Sequence, residues 1–242
     1  MTLQSDMESG ETSDRSCTLV IMAKAPRPGL VKTRLTQSLP VEAVTQLYRC
    51  LLDDTLALAY SLPGVRVAIM CPASDVKELA QMAGSAAVVA QQVEGLAAAL
   101  TSVFANFAAD WQHVIAFNSD SPHLPASVLT SAFEMLTVHD VVVGPTHDGG
   151  YYLVGAKGDH AGLFDGDGMG TDSALDALLA RARKLQLSVA FTDPFYDIDV
   201  ESDLTRLEAE LRLAPSRAPR TAAWLKQRQQ VIALLRIAAG DL

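Results

Sequence analysis

The chain has 242 residues, of which 49% are apolar and 19% are charged, and its formal net charge is −9. The apolar share is large enough for a packed core, so the composition excludes a chain that is disordered throughout. The acidic balance argues against a nucleic-acid binder, because binding of phosphate backbones needs a broad basic surface.

The first sixteen residues are polar and acidic and contain no apolar stretch of the kind found in a signal peptide, so we predict a disordered tail at 1–16. No apolar run approaches the roughly 18 residues of a membrane span. The three cysteines are odd in number and lack a C-x-x-C spacing. We therefore expect a reduced, cytoplasmic protein without a membrane span.

From residue 17 to residue 213 the sequence alternates between predicted strands and predicted helices. Strands are predicted at 18–23, 65–70, 86–90, 113–117, 140–145, 151–156 and 187–191. Helices are predicted at 41–60, 74–82, 96–109, 126–137, 172–184 and 202–213. The alternation predicts one α/β domain, a three-layer α/β/α sandwich with a mostly parallel sheet. The connection between the predicted strands at 140–145 and 151–156 is short, which favours an antiparallel pair and therefore a mixed sheet.

The remaining residues, 214–242, are predicted to form a linker, "APSRAPR", and an amphipathic C-terminal helix. Apolar side chains lie close to one stripe of this helix, namely Trp224, Leu225, Val231, Ile232, Leu235 and Ala238. We interpret the stripe as packing on its own domain, with a homodimer through this helix as the alternative.

The loop after the first strand, "MAKAPRPGLVKTRL", contains four cations and no acid. Lys24, Arg27, Lys32 and Arg34 lie within eleven residues, and Gly29 permits a tight turn. Ligands of open α/β sheets bind beyond the carboxyl ends of the strands. A compact ammonium and a bidentate guanidinium together suit a diphosphate or triphosphate, although a solvated basic turn is the alternative.

Carboxylates follow two later strands. Asp120, in "NSDSP", comes directly after the strand at 113–117 and can hold Mg²⁺ or cap the next helix. Asp197 and Asp199, in "YDIDVESDL", lie on one side of an extended segment. We favour Asp199 as the second metal ligand and expect Asp203 to cap or solvate the following helix.

Two glycine-rich segments lie between these carboxylates. In "GPTHDGGYYLVG", Asp148 can accept hydrogen bonds from sugar hydroxyls, and a simple hairpin turn is an equal alternative. The segment "DGDGMGTDSAL" at 165–175 is either a mobile lid or a loose connection, and Thr171 is a candidate helix N-cap. The chain lacks GxGxxG, GxxxxGK[ST] and GxSxG, which weakens dehydrogenase, P-loop and hydrolase assignments.

The segments "AKAPRPGLVKTRL", "NSDSP", "GPTHDGGYYLVG" and "YDIDVESDL" together resemble a family of small bacterial glycosyltransferase-like proteins. This family lies in the nucleotide-diphospho-sugar transferase superfamily, which has the GT-A fold. The similarity extends from about Leu19 to Leu207. It implies a nucleotide or nucleotide sugar bound over the first strands, together with a small-molecule acceptor.

The resemblance also implies roles for individual residues. Asp120 matches the superfamily's metal-binding aspartate and Asp199 its second acidic position, with Mg²⁺ or Mn²⁺ as the ion. The candidate nucleotide and phosphate contacts are Lys24, Arg27, Gly29, Lys32, Arg34 and Gly95. The candidate substrate contacts are Gly149, Gly150, Tyr151 and Thr171, and Asp148 is the candidate catalytic residue.

The chain departs from the family in two segments. It has "EGLAAAL" where a segment like "GDLGERL" is expected, and Met169 where the family has a tryptophan. "GLAAAL" is more similar to the "GLNAAL" of phospholactate guanylyltransferases, and the "DID" ending resembles that of molybdenum-cofactor nucleotidyltransferases. Glycosyl transfer is the favoured reaction, nucleotidyl transfer with release of pyrophosphate is the second hypothesis, and a non-catalytic nucleotide-binding or partner-binding module is the third.

Overall fold

One seven-stranded sheet organises the protein, whose computed structural model describes residues 17–108, 113–166 and 173–239. Its strands are β1 (Cys17–Met22), β2 (Val65–Cys71), β3 (Ala87–Ala90), β4 (His113–Asn118), β5 (Val141–Pro145), β6 (Tyr151–Lys157) and β7 (Val189–Phe191). Their order is β3-β2-β1-β4-β6-β5-β7, and among them only β6 is antiparallel to its neighbours. The predicted tail at 1–16 and residues 167–172 of the glycine-rich segment, which include Thr171, lie outside the described residues.

The described helices are α1 (Val41–Tyr60), α2 (Val76–Met82), α3 (Leu96–Phe107), α4 (Ala126–Leu136), α5 (Ala174–Lys184), α6 (Glu201–Leu213) and α7 (Pro219–Ala239). Short 3-10 helices lie at Thr33–Gln37, Ala73–Asp75 and Pro215–Arg217. The predicted α/β class with a mixed, mostly parallel sheet is confirmed. The sequence did not predict the 3-10 helix within the basic loop or the one within "APSRAPR".

Alternation along the strands separates the core into two apolar layers. In β1, Leu19 and Ile21 join the cluster under α1, α2 and α4, whereas Val20 joins the cluster under α3 and α5. Successive side chains of a strand point to opposite faces, so a continuous apolar run is buried on both sides. The result is a sheet between two helical layers.

Six strands of the sheet point the same way, so their carboxyl ends lie at one edge, which we call the carboxyl edge. The basic loop leaves β1 at this edge, Asp120 follows β4, and the turn at 146–150 joins β5 to β6. The segment with Asp197 and Asp199 follows β7. The topology therefore brings four segments that are distant in sequence to one place.

A third apolar cluster joins α1, α6 and α7 outside the sheet layers. The start of α7 is capped by Asp54 of α1, whose carboxylate accepts hydrogen bonds from the amides of Arg220 and Thr221 at 3.2 and 2.8 Å. The Thr221 hydroxyl adds a third at 2.8 Å. Ala218, which precedes the helix, has no side-chain acceptor, so Asp54 replaces the usual N-cap residue.

The beginning of α7 packs on its own domain, where Leu225 is buried. Further along the helix, Val231 and Leu234 are exposed, so a homodimer through this helix stays a prediction. None of the described helices combines the length and the apolar composition that a membrane crossing requires.

Candidate functional site

The basic loop after β1 is fixed at its start by the buried Asp75. The Asp75 carboxylate accepts hydrogen bonds from the Ala25 amide at 2.9 Å and from Nη1 of Arg27 at 2.8 Å. Nε of Arg27 also donates to Glu78 at 2.9 Å. Gly29 follows with φ of +74°, a left-handed conformation that glycine adopts without strain. Arg27 is predicted from the sequence to contact phosphates, but in the structure its side chain is paired with acidic residues at the start of α2. Gly29 shapes the turn.

Lys32 connects this loop to the carboxylates at the carboxyl edge. Its Nζ lies 2.7 Å from Oδ2 of Asp120 and 2.8 Å from Oδ1 of Asp199, and the side chain is 6% exposed. Burial disfavours the charged ammonium, but the two carboxylates outweigh burial and raise the pKa of Lys32 above its usual range. The backbone is left-handed, with φ of 46°, which is uncommon for a residue with a side chain.

Tyr48 of α1 joins the same loop to the residue before Asp120. Its hydroxyl oxygen accepts a hydrogen bond from the Lys24 amide at 3.1 Å and lies 3.0 Å from Oγ of Ser119. Ser119 in turn donates to Oδ1 of Asp120 at 3.2 Å. Burial and the nearby Asp120 charge raise the pKa of Tyr48 to about 12, so the phenol is neutral. Tyr48 and Ser119 are not predicted from the sequence, because a tyrosine within a helix and a serine after a strand carry no distinctive signal.

Asp120, Asp197 and Asp199 form an acidic cluster beside Lys32. One carboxylate oxygen from each lies within 4.8 Å of the others. Burial raises the pKa of Asp197 to about 6, with Asp199 and Asp120 adding to the effect and Lys32 opposing it. Three carboxylates nevertheless lie beside the single ammonium of Lys32, so the cluster has an excess of acidic groups. Oxygen ligands and excess negative charge are what Mg²⁺ and Mn²⁺ require, so these residues fit a divalent ion.

The sequence favours Asp199 over Asp197 as the second metal ligand, whereas the structure brings both to Asp120. Asp203 has a structural role that differs from that of the acidic cluster. Its carboxylate accepts hydrogen bonds from the amides of Asp199 and Val200 at 3.0 and 2.8 Å, which caps α6 as the sequence predicts. This cap also holds the backbone of Asp199 in place.

A cavity of about 710 Å³ opens in front of Lys32 and the carboxylates. Such a volume suits a ligand of nucleotide size. Its lining includes the basic loop residues Lys24, Lys32 and Arg34, the aspartates Asp120 and Asp199, and Gln91, Glu94 and Gly95 before α3. Gly95 has φ of +104°, and no side chain in the described part of the chain caps the first amides of α3. Backbone amides at this position can approach a ligand closely.

The turn at 146–150 has its own internal hydrogen bonds. The Asp148 carboxylate accepts from the Thr146 hydroxyl and, at 3.2 Å, from the Gly150 amide, while the Thr146 amide donates to the Gly150 carbonyl at 3.0 Å. The Thr146 bond lowers the pKa of Asp148 against the opposing effect of burial. Locally, the structure thus matches the hairpin interpretation of "DGG", with an ionised Asp148 near the carboxyl edge.

The remaining predicted substrate contacts lie around this turn. Gly149 has φ of +89°, and its carbonyl accepts the Leu175 amide at 3.0 Å, which ties the turn to α5. A Cβ on Gly150 would lie 2.9 Å from Oγ1 of Thr146, so the turn has no room for a side chain there. Tyr151 begins β6 partly buried, and burial raises the pKa of its phenol.

Comparisons with known proteins concern the fold and the family resemblance of the chain. A family model described as "Uncharacterized protein conserved in bacteria (DUF2064)" matches residues 55–171. A candidate nucleotide-diphospho-sugar transferase from Desulfovibrio desulfuricans G20 is 26% identical, with a TM-score of 0.83 over 90% of this chain and 97% of that one. The chain has no detectable similarity to a curated protein.

Two more distant structures share the fold. One is 4-diphosphocytidyl-2C-methyl-D-erythritol synthase from Anaerococcus prevotii DSM 20548, at 11% identity and TM-score 0.56, covering 82% of this chain and 97% of that one. The other is CMP:2-keto-3-deoxy-manno-octonic acid synthetase complexed with CTP, at 12% identity and TM-score 0.52, covering 82% and 100%. At these identities the similarity concerns the fold alone. The resemblance to nucleotide-diphospho-sugar transferases is confirmed, and the comparisons support a transferase that acts on nucleotides.

Proposed function

We propose that the protein is a divalent-metal-dependent transferase that moves a glycosyl group from a nucleotide sugar to a small-molecule acceptor. The observation that carries this proposal is Lys32, a buried ammonium that joins the basic loop to Asp120 and Asp199 in the wall of a nucleotide-sized cavity. The 26% identical transferase-like structure supports the same class of donor.

In this proposal Asp120 and Asp199, with Asp197 beside them, hold Mg²⁺ or Mn²⁺. When bound, such an ion supplies positive charge that stabilises a departing diphosphate. Asp203 fixes the backbone of Asp199 through the α6 cap, and Ser119 orients Asp120. The chain therefore positions these carboxylates before any ligand arrives.

The basic loop binds the phosphates of the donor. Lys24 and Lys32 contribute point charges, and Arg34 contributes a planar fork that matches two phosphate oxygens. Gly95 allows the ligand to approach the uncapped amides of α3. Arg27 contributes by holding the loop against α2 through its bonds to Asp75 and Glu78.

The acceptor is placed by the turn that joins β5 to β6. Asp148, ionised beside Arg34, accepts hydrogen bonds from hydroxyl groups of the sugar or the acceptor and is the candidate base. Gly149, Gly150 and Tyr151 shape this side of the site. Thr171, on the connection that follows β6, is retained as a substrate contact from the sequence resemblance.

Nucleotidyl transfer is the second candidate, because one structure with this fold is complexed with CTP. In that reaction the same cations would stabilise a departing pyrophosphate while a phosphorylated small molecule attacks the α-phosphorus. The cavity contacts proposed above suit either reaction, so the product distinguishes them.

The experiment is a thermal-shift panel of nucleoside diphosphates, triphosphates and nucleotide sugars, each with Mg²⁺, Mn²⁺ or chelator. A ligand that binds the native state raises the melting temperature by mass action. The stabilising nucleotide family is then assayed for released nucleoside diphosphate, which indicates glycosyl transfer, or pyrophosphate, which indicates nucleotidyl transfer. Metal-dependent binding without either product supports the non-catalytic module, and the absence of any nucleotide shift contradicts the proposed function.

A further inference from the structure

We propose that Lys32 is a built-in counterion that metal and phosphate displace together, so that the site takes up a metal–diphosphate complex in preference to the free metal ion. This inference rests on the proposed function, because it concerns the same carboxylates. It adds a binding order and a second role for Lys32 beyond phosphate contact.

The ammonium already holds the oxygen atoms that a metal ion would need. Nζ lies at 2.7 and 2.8 Å from one oxygen each of Asp120 and Asp199, and both carboxylates belong to the acidic cluster. Mg²⁺ binds carboxylate oxygens at roughly 2.0–2.1 Å. Two cations that compete for the same oxygens repel each other. The ammonium of Lys32 therefore weakens the binding of a metal ion that arrives without phosphate.

The displaced ammonium needs another anion, because a charged group that is 6% exposed is costly to leave unpaired. The backbone of Lys32 is held by the hydrogen bond from the Leu35 amide to its carbonyl at 3.0 Å, so only the flexible stem moves. The cavity in front of it is also lined by Lys24 and Arg34, where a phosphate would lie. Phosphate binding therefore stabilises the displaced ammonium and frees the carboxylates for metal.

This exchange predicts a reciprocal coupling. A diphosphate tightens metal binding, and the metal tightens diphosphate binding by the same factor. Arg34 provides the matched control, since it lies 3.5 Å from Asp199 and carries the same charge but is 65% exposed. Its attraction to the carboxylate is screened by solvent, so it competes little with a metal ion.

The test measures Mn²⁺ binding to the wild type, Lys32→Met and Arg34→Met by electron paramagnetic resonance of the free ion. We expect Lys32→Met to bind Mn²⁺ alone about tenfold more tightly, since a buried opposite charge changes the affinity of a carboxylate for a cation at least that much. Arg34→Met should change it by less than about twofold. Lys32→Asn is the second variant, because asparagine tolerates the left-handed backbone of this position.

The coupling is measured with inorganic pyrophosphate, after allowance for the Mn²⁺ complex that it forms in solution. Pyrophosphate should tighten Mn²⁺ binding to the wild-type protein but much less to Lys32→Met and Lys32→Asn. The counterion role is overturned if the folded Lys32 variants bind Mn²⁺ no more tightly than the wild type, or if Arg34→Met gains as much Mn²⁺ affinity as they do. In either case, nucleotide binding in the thermal-shift panel still supports the proposed function. If no variant binds Mn²⁺ and no nucleotide binds, both fail.

Discussion

Aspartates in two regions of this protein have different partners. At the junction of α1 and α7, Asp54 is almost fully buried, and its carboxylate accepts hydrogen bonds from two backbone amides and one hydroxyl. At the carboxyl edge, Asp120 and Asp199 share the ammonium of Lys32 beside an open cavity. Backbone partners cannot leave without unfolding the helix, whereas a flexible ammonium can. The comparison separates a structural carboxylate from carboxylates that can receive a ligand.

The strongest test of this contrast is Asp54→Ala. We expect the free energy of unfolding to fall by about 3 kcal/mol, because α7 loses its cap and buried amides lose their acceptor. Chemical denaturation measures the loss, and Asp53→Ala is the control, since Asp53 is partly exposed and lies 3.8 Å from Arg220. Equal losses in the two variants would show that Asp54 has no special structural role.

Asp120→Asn tests the other region. We expect metal-dependent nucleotide affinity to fall by about 100-fold, since a neutral amide is a poor ligand for a hard divalent ion. The free energy of unfolding should change little, the reverse of Asp54→Ala. Calorimetric titration with and without chelator measures the affinity, and an unchanged metal-dependent affinity would remove Asp120 from the proposed site.

His123 extends the comparison to a buried group that lacks hydrogen-bonded partners. Neither ring nitrogen has a hydrogen-bond partner among the described residues, and the nearest Glu210 oxygen lies 3.8 Å away. Burial, with the charges of Arg217 and Arg206, lowers the pKa of His123 to about 3. The native ring is therefore neutral, while the unfolded chain binds a proton below its ordinary pKa of 6.5.

Because the unfolded state binds the extra proton, stability should fall as the pH falls from about 6.5 towards 3. Between pH 8 and pH 5 this linkage amounts to about 2 kcal/mol of unfolding free energy. Denaturation curves at several pH values, compared with those of His123→Phe, isolate the contribution. The variant should be less sensitive to acid, and parallel pH profiles for the two proteins would contradict a neutral buried histidine.

Arg34→Met gives the smallest expected effect. Because Arg34 is exposed, its loss should weaken nucleoside diphosphate binding by about tenfold and leave nucleoside binding nearly unchanged. Parallel titrations with a nucleoside and its diphosphate measure the difference. Equal losses for the two ligands would show that Arg34 does not contact phosphate.

Much of the fold was predictable because strand and helix periodicities are local properties of the sequence. The prediction of α1 at 41–60 agrees with Val41–Tyr60, and the close connection between β5 and β6 correctly indicated an antiparallel pair. The 3-10 helix at Thr33–Gln37 was not predicted, because it depends on the left-handed backbone of Lys32. A left-handed backbone is uncommon for a lysine, and no local pattern in the sequence indicates it.

The candidate site was predicted only in part. The basic loop, Asp120 and Asp199 were recognised because charged residues after strands are conspicuous in an acidic chain with few motifs. Tyr48 was not, since its hydroxyl reaches Lys24 and Ser119 only when α1 packs on the sheet. The sequence could not assign different roles to Arg27 and Lys32, because both are cations of one loop and only their contact partners differ.

By itself, the sequence determined the α/β class, the identity of the loops at the carboxyl edge and the supply of cations and carboxylates there, since periodicity and composition are properties of the chain. Only the tertiary structure decided that Lys32 lies between Asp120 and Asp199, that Asp197 joins them, and that Asp54 caps α7. These pairings connect residues between 77 and 167 positions apart. Such contacts depend on how strands and helices pack, which no local pattern encodes.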